Sequence, residues 1–366
     1  MTMSPPGVDQ DDVSGRVQPG RSAAALGYRM PAEFEPQSCV WVSRPHNVET
    51  WPGVMQQARE QFEAWVEVMR SFVPVCTTQA MNLRTDDAWI RDYGPLFVVR
   101  ERGGTASAGE AEPLTDIALH DFRFDGWGGK YGEHPLDDAV PGQVAAALGV
   151  TWWRHEVVVE GGAIDVDGRG TALVAEASLL DERRNPGLTR GAAERLLAET
   201  LGIQQVIWLR GSLAGDDTDG HVDNLARFVA PGRVVLPLAG PEHRDHATLV
   251  ENRRLLGQAR TAGGEAIELV ELPMPEPILH DFPPDRFGPG GRGPLPASYA
   301  NFLITNDAVF LPAFGQVSDE RAARVLEQVC SGRRIIPVRC EHLVVGLGGL
   351  HCLSQQQPAG PSARPG

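Results

Sequence analysis

The sequence predicts an α/β propeller, a closed ring of five similar units that each contain two strands, a helix and a third strand. Two observations support this prediction. Hairpin-like segments recur at three places in the central and C-terminal parts of the chain, each followed by a helical pattern and another strand. The two chain ends carry incomplete units that would complete one another if the ring closed. The alternative is an ordinary mixed α/β domain whose units are similar by accident.

Three of the units are regular. Each begins with two short apolar runs separated by a turn dipeptide, Asp167-Gly168, Pro231-Gly232 or Asn306-Asp307. Gly202 and Gly332 stand where a glycine commonly ends a helix. The helical patterns are TRGAAERLLAETLG, HATLVENRRLLGQARTAG and SDERAARVLEQVCSG, and the third strands are QVIWL, AIELVEL and RIIPV.

Two further units are less regular. One has the hairpin strands PLFVVRERGG and DIALHDFRF, lengthened by the insert TASAGEAEPLTD, then the helix LDDAVPGQVAAALG and the strand VTWWR. The other is shared between the chain ends. LHCLSQQQP supplies one strand, and CVWVSRP, a helix around residues 54–71 and FVPVC supply the rest. Pairing of the two ends would leave no sheet edge exposed.

Composition sets the expected domain organisation. We expect a disordered extension at residues 1–28, a single propeller domain at residues 29–358 and a disordered tail at residues 359–366, because both ends are polar and rich in Pro and Gly. No apolar run is long enough for a signal peptide or a membrane span. Five scattered cysteines without a C-x-x-C pair predict no disulfide framework and a reducing, cytoplasmic location.

The charge of the chain restricts its partners. Formal net charge is −15, from 48 acidic and 33 basic residues. Nucleic acid and anionic membranes are therefore unsuitable partners, whereas a small cation would be attracted. The acidity also has a simple interpretation, which is that it keeps the protein in solution. A homo-oligomer remains open.

The residues that precede the first strand of each unit should meet at the axis of the ring. Asp92, Glu160, His221, Asp223 and Cys352 occupy such positions. A cysteine beside a histidine is a nucleophile with a proton carrier, but carboxylates close to the thiol would raise its pKa. A cationic substrate resolves this conflict, because two carboxylates can hold a planar guanidinium whose charge stabilises the thiolate. We therefore expect iodoacetamide to modify Cys352 ahead of the other four cysteines.

The decapeptide GDDTDGHVDN has a second interpretation. Its carboxylates and histidine could bind a metal through Asp216, Asp217, Asp219 and His221, although their spacing departs from that of a calcium loop. The protein would then be a metal-dependent hydrolase. Single members of the axial set also have purely structural interpretations, since a lone cysteine is commonly a packing residue and a lone glutamate can accept backbone N–H groups. We expect neither a metal nor a cofactor.

With these residues assembled, the chain resembles the agmatine deiminases of the guanidino-group-modifying superfamily, which also contains the peptidylarginine deiminases and arginine deiminase. The resemblance runs from about residue 30 to residue 358. Its motifs are DDAWIRDYGP, WGGKY, DDAVP, EGGAIDVDG, DDTDGHVDNLARFVAPG, PASYANF and GLGGLHCLSQQQP. The family fold is the five-bladed α/β propeller known as the pentein fold, in agreement with the repeat.

The resemblance also implies roles for individual residues. Cys352 resembles the nucleophile, His221 the general acid and base, and Asp92 and Asp223 the pair that holds the guanidinium. Trp89 resembles the aromatic wall beside the alkyl chain of the substrate. The substrate-binding positions implied in this way are Trp89, Asp92, Glu160, Asp223 and Gly348.

The implied activity is hydrolytic deimination of agmatine to N-carbamoylputrescine and ammonia, through a covalent amidino-thioether, in polyamine biosynthesis or arginine catabolism. Three alternatives remain: deimination of free arginine, peptidyl arginine or another guanidine; the metal-dependent hydrolase; and a polyamine-binding propeller without turnover. The far end of the substrate separates the first from agmatine, because an ammonium needs acidic or carbonyl groups and an α-carboxylate needs an arginine.

Overall fold

The computed structural model describes residues 22–101, 115–283 and 291–360. It contains five three-stranded sheets with one pattern: the first two strands are antiparallel, and the third lies parallel to the second. The five predicted units are therefore confirmed. The strands of the four continuous sheets are Leu96–Glu101, Thr115–Arg123 and Thr151–Val158; Ile164–Val166, Thr171–Ala175 and Gln205–Leu209; Arg227–Ala230, Arg233–Leu238 and Glu268–Pro273; and Leu303–Ile304, Ala308–Ala313 and Arg334–Arg339.

The fifth sheet joins the two ends of the chain, as predicted. Ser354–Pro358 pairs antiparallel with Gln37–Val42, which pairs parallel with Val75–Thr77. The helix Met55–Met69 connects the two parallel strands, because a parallel pair needs a crossover that a tight turn cannot supply. This pairing places the segment just before Ser354 next to the end of the strand Gln37–Val42.

Helices connect the second and third strands of the sheets and cover them with apolar faces. Trp65 of the first helix, for example, packs edge-on against Phe310 of a neighbouring sheet, with ring centroids 6.5 Å apart. The crossover helices are Met55–Met69, Val140–Leu148, Arg190–Leu201, His246–Gln258 and Val317–Val329. Shorter α-helical turns are Ile90–Tyr93, Gly126–Gly129, Pro135–Asp138, Glu176–Leu179 and Val222–Leu225, and 3-10 turns are Ala24–Leu26, Gly161–Ala163 and Leu343–Gly346.

The two glycines predicted to end helices behave differently. Gly202 is the residue that caps its helix, with a left-handed φ of 72°. Gly332 is not a cap, because its helix already ends at Val329 and Cys330 follows as the capping residue. Its φ of 83° instead serves the turn before the next strand.

The folded part of the chain extends beyond the boundaries predicted for it. Residues 22–28 contain the 3-10 turn Ala24–Leu26 and bury Ala23 and Tyr28, so this part of the predicted N-terminal extension is ordered. Apolar packing of a few residues was too short a signal to show in the sequence. At the other end, the backbone N–H of Ala359 donates to the carbonyl of Pro36. The predictions of disorder for residues 1–21 and 361–366 lie outside the described residues.

A two-stranded ladder, Leu279–Asp281 with Arg292–Pro294, interrupts the connection between the last two continuous sheets. Across the three ranges that the structure describes, no helix is both long enough and apolar enough to cross a membrane.

Candidate functional site

Short turns at the starts of the units carry the predicted site residues. Asp92 lies in the turn Ile90–Tyr93, Glu160 precedes Gly161–Ala163, and His221 and Asp223 begin the turn Val222–Leu225. These turns pack against one another. Cys352 comes from the segment before the closing strand and is buried, as are the four other side chains. The structure therefore brings Asp92, Glu160, His221, Asp223 and Cys352 together, as the repeat predicted.

The Cys352 thiol lies between an amide and a carboxylate. Asn301 Nδ2 donates to its sulfur over 3.1 Å, and Asp223 Oδ2 lies 3.5 Å from the same sulfur. Burial raises the pKa of the Cys352 thiol well above its usual range, and the charges of Asp223 and Asp92 raise it further. Without a cation nearby, this sulfur is therefore a neutral thiol.

His221 lies between two carboxylates on the opposite side of the site. Its Nε2 is 2.7 Å from Glu160 Oε2, and its Nδ1 is 3.4 Å from Asp92 Oδ1. Burial disfavours the imidazolium, but the charges of Asp92 and Glu160 outweigh burial and raise the pKa of His221 to about 9. At neutral pH, His221 is therefore a proton donor. Its Nδ1 makes no hydrogen bond to any of the described residues.

Asp92 and Asp223, the predicted guanidinium-binding pair, differ in their surroundings. Asp92 Oδ2 accepts a hydrogen bond from Trp127 Nε1 at 2.9 Å, and burial raises the pKa of Asp92 to about 6 although His221 opposes this. Asp223 Oδ2 is 2.8 Å from His351 Nδ1, and this contact overcomes burial and lowers the pKa of Asp223. Within the described residues, Asp223 Oδ1 has no hydrogen-bond partner.

Glu160 is held by an arginine as well as by His221. Arg184 Nε lies 2.7 Å from Glu160 Oε1, and both side chains are buried. Burial opposes ionisation of Glu160, but its contacts with His221 and Arg184 lower its pKa. Glu160 is therefore an ionised partner that orients the His221 ring, and the contacts of its carboxylate among the described residues are side chains, not backbone amides.

Two glycines allow side chains of the site to pack closely against the backbone. A Cβ built on Gly162 would lie 2.5 Å from His221 Nδ1 and 2.8 Å from Asp92 Oδ1. One built on Gly348 would lie 2.4 Å from Trp89 Cζ3. Real Cβ atoms do not approach other atoms so closely, so only glycine fits at either position. Gly348 thus permits contact with the predicted aromatic wall.

A cavity of about 610 Å³ leads from the surface to Cys352. Trp89 and Gly348 form part of its wall, and Trp89 stacks on Trp51 with ring centroids 5.1 Å apart. Asp92 also lines the cavity, while His221 and Asp223 lie behind Asp92 and Cys352 at the distances given above. Other lining residues of the cavity include Glu49, Thr50, Asp87, Tyr131 and Asp217.

The acidic residues of GDDTDGHVDN point in different directions. Asp216 Oδ1 accepts hydrogen bonds from the backbone and hydroxyl of Thr218, and Asp217 accepts one from Tyr131. Asp219 is occupied by three cations, Lys130, Arg183 and Arg184. In the part of the chain that the structure describes, no three His, Cys, Asp or Glu side chains are arranged to hold a metal ion. The contacts of Asp216, Asp217 and Asp219 with separate protein groups therefore favour the substrate-binding interpretation.

Several residues of the site carried no predicted role. Asn301 comes from the one unit that supplies none of the predicted site residues. With Asn301, each of the five units contributes at least one side chain to the site. His351 was adjacent in sequence to the predicted nucleophile, and Trp127 lay in the WGGKY motif, but nothing in the sequence showed what they touch. The others are Glu33, Arg91, Arg184 and Arg227, whose burial as charged side chains depends on the fold.

The other cysteines include one with a more accessible thiolate. Cys76 is half-buried, and a hydrogen bond with Cys39, whose sulfur is 3.1 Å away, lowers the pKa of Cys76. Burial meanwhile raises the pKa of Cys352. Since the thiolate is the reactive form, these directions favour Cys76 over Cys352 as the thiol alkylated first in the absence of substrate, so the labelling order stays a prediction to be tested.

The fold and the site define a class: an α/β propeller with a cysteine, a histidine and paired carboxylates at its axis. The model of the family described as Porphyromonas-type peptidyl-arginine deiminase matches residues 29–358. The chain belongs to that family.

Relatives in this family are similar over most of their length. The agmatine deiminase of Stutzerimonas stutzeri is 34% identical over 366 residues, covering 91% of this chain and 96% of that protein. The agmatine deiminase of Ectopseudomonas mendocina is also 34% identical, with coverages of 92% and 96%. The structure of the agmatine deiminase of Enterococcus faecalis superposes with a TM-score of 0.83 at 30% identity, covering 93% of this chain and 98% of the other.

Proposed function

We propose that this protein is a deiminase that hydrolyses agmatine to N-carbamoylputrescine and ammonia. The observation that supports it most directly is the buried Cys352 sulfur with Asp223 on one side and Asp92 lining the same cavity. Asp223 Oδ1 is an acceptor that lacks a donor among the described residues. A guanidinium supplies five N–H donors in one plane, so it matches this excess of acceptors.

Charge explains why the substrate should be a cation. A thiol whose pKa is raised by burial and by two carboxylates is a poor nucleophile. A guanidinium bound between Asp92 and Asp223 would neutralise their charge and favour ionisation of Cys352. The substrate then helps to activate the nucleophile that attacks it, and the thiol stays inert when the site is empty.

The reaction would proceed in two halves. The Cys352 thiolate adds to the guanidinium carbon, and the His221 imidazolium protonates the departing nitrogen, which leaves as ammonia. Water then adds to the resulting amidino-thioether while neutral His221 accepts a proton from it. The C–S bond then breaks as the remaining hydroxyl proton passes to the Cys352 sulfur, which releases the ureido product and restores the thiol. Glu160 and Arg184 keep the His221 ring in place during both proton transfers.

The lining of the cavity favours an ammonium group over a carboxylate. Among the described residues that line it are the carboxylates of Glu49, Asp87 and Asp217, but no arginine or lysine. The groups that donate to the Asp87 carboxylate, which are Thr50, Asn47 and the backbone N–H of Ala88, are neutral. The α-carboxylate of arginine would meet negative charge here, whereas the primary ammonium of agmatine would be attracted. The names of the relatives agree with this choice.

The decisive experiment measures ammonia release with agmatine, free arginine and an arginine-containing peptide. We expect turnover of agmatine to exceed that of both other substrates, to survive a chelator and to disappear in Cys352→Ser. Preference for arginine or the peptide would establish the alternative deiminase activity. Loss of activity on chelation would point to the metal-dependent hydrolase, and binding of agmatine without ammonia release would point to a polyamine-binding protein.

The five cysteines are all free thiols in the structure. We therefore keep the cytoplasm as the proposed location, because thiols persist in a reducing compartment.

A further inference from the structure

The ring of His351 lies between two carboxylates, next to the predicted nucleophile. Its Nδ1 is 2.8 Å from Asp223 Oδ2, and its Nε2 is 2.7 Å from Glu33 Oε2. The exposed fractions of the three side chains are 2%, 1% and 3%, so water does not compete for these contacts. The ring thus connects the guanidinium-binding carboxylate to a residue from the N-terminal part of the chain.

Both ring nitrogens of His351 face a carboxylate oxygen. Contacts with Arg227, His351 and Arg91 overcome burial and lower the pKa of Glu33 far below its usual range. The hydrogen bond with His351 likewise opposes burial and lowers the pKa of Asp223. The ring is therefore held at both ends by ionised carboxylates.

Glu33 is fixed from several directions. Its Oε1 accepts a hydrogen bond from the backbone of Ile304 at 2.6 Å and lies 2.9 Å from Arg227 Nη2. Its Oε2 lies 3.4 Å from Arg91 Nη2. The backbone N–H of His351 donates to Asn301 Oδ1 at 3.0 Å. Both ends of the histidine are therefore anchored, so Asp223 is the terminal member of a rigid chain.

The carboxylate that holds His351 belongs to a buried cluster of charges. Glu33 contacts Arg91 and Arg227, and Asp165 lies 3.4 Å from Arg227 Nε. Removal of one partner from such a cluster leaves a buried charge uncompensated, which is costly.

We propose that His351 is a positioning residue, whose ring, held by Glu33, fixes Asp223 Oδ2 and leaves Asp223 Oδ1 to the substrate guanidinium. This inference rests on the proposed function. His351 does not touch the reacting atoms itself. It holds Asp223 Oδ2, so that a single oxygen of this carboxylate is left for the substrate.

Replacing His351 by glutamine tests this role. Gln has one N–H₂ group and can donate to one of the two carboxylates but not to both, and it carries no charge. We expect kcat/KM for agmatine to fall roughly 30-fold or more, the loss that accompanies a broken buried charge pair. The matched control is His342→Gln in the same connection, which should retain kcat/KM within about twofold because His342 lies outside the site.

A double-mutant cycle separates positioning from a general structural effect. If His351 acts through Asp223, His351→Gln should change kcat/KM by less than about threefold once Asp223→Asn is present, because the group it positions is already lost. Additive losses in the two variants would overturn the proposal. So would wild-type kcat/KM in His351→Gln, or a His351→Gln protein that fails to fold while the His342→Gln control folds.

Calorimetry measures agmatine binding to the same variants in a Cys352→Ser background. Glu33→Gln is a second substitution that disrupts the hydrogen-bonded series from Glu33 through His351 to Asp223. We expect both His351→Gln and Glu33→Gln to weaken binding in this background, and unchanged binding in both would overturn the proposal. If wild-type protein releases no ammonia but this binding pattern is observed, the proposed hydrolysis fails and the positioning role stands.

Discussion

Replacing Asp223 by asparagine removes one charge and preserves the shape of the side chain. Asp223 is almost fully buried, and its Oδ2 contacts both His351 Nδ1 and the Cys352 sulfur. Asparagine would present an amide that can turn its donors towards an already donor-rich guanidinium. It would also leave His351 Nδ1 without its charged partner.

The size of the effect follows from this geometry. Two unit charges about 4 Å apart interact by roughly 4 kcal/mol at an effective dielectric constant of about 20. Loss of one member of a buried charge pair costs about 2–5 kcal/mol. At about 1.36 kcal/mol per factor of ten, kcat/KM for agmatine should fall by roughly 30-fold to several thousand-fold. Both KM and kcat should change, because the carboxylate binds the cation and helps to ionise Cys352.

Steady-state ammonia release with agmatine measures both constants, and thermal unfolding checks that the variant is folded. The matched control is Asp216→Asn in the same decapeptide. Asp216 Oδ1 accepts hydrogen bonds from Thr218 within a turn, and an asparagine oxygen can accept the same bonds. We therefore expect Asp216→Asn to lose less than about tenfold in kcat/KM.

Two results would refute this reasoning. Wild-type kcat/KM in a folded Asp223→Asn protein would show that this carboxylate does not hold the substrate. Equal damage in Asp216→Asn and Asp223→Asn, reversed by added divalent ions, would show that the decapeptide binds a metal.

Three further predictions concern the thiols and the histidine. Cys352→Ser should retain agmatine binding and lose ammonia release, since a hydroxyl is not ionised at neutral pH, whereas Cys340→Ser should retain turnover. Turnover in Cys352→Ser and its loss in Cys340→Ser would show that Cys352 is not the nucleophile. The pKa of His221 is raised to about 9, so its imidazolium is present below that pH and is lost as pH rises through it. We therefore expect kcat/KM to fall above about pH 9. A kcat/KM that stays constant up to pH 10 would show that His221 is not the general acid. Without agmatine at neutral pH, iodoacetamide should modify Cys76 before Cys352. Peptide mass spectrometry measures this order. Earlier modification of Cys352 would show that its thiolate forms without bound substrate.

Much of the fold could be predicted because its signals are local. Alternating apolar runs, turn dipeptides such as Pro231-Gly232 and a helical pattern after each hairpin recur along the chain, so the repeat shows without knowledge of distant contacts. The first and last residues of helices and turns do not follow from this repeating pattern. The ordered turn at residues 24–26 and the early end of the helix at Val329 depend on a few contacts and on the cap at Cys330.

The sequence by itself determined which residues lie at the axis, because each unit places its first strand in the same way and the preceding residues converge. It could not determine their protonation. Burial and the charges of Asp223 and Asp92 raise the pKa of Cys352, whereas a hydrogen bond with Cys39 lowers the pKa of Cys76 although burial opposes it. These effects depend on distances that only the folded chain sets.

The tertiary structure alone decided what supports the axial residues. Glu33, Asp223 and His351 are separated by more than a hundred residues from one to the next, and no local pattern links them. The closed ring brings them within hydrogen-bonding distance, and burial makes each charge require a partner. Local sequence thus fixed the position of each reactive group, whereas long-range closure of the ring decided its partner and its charge.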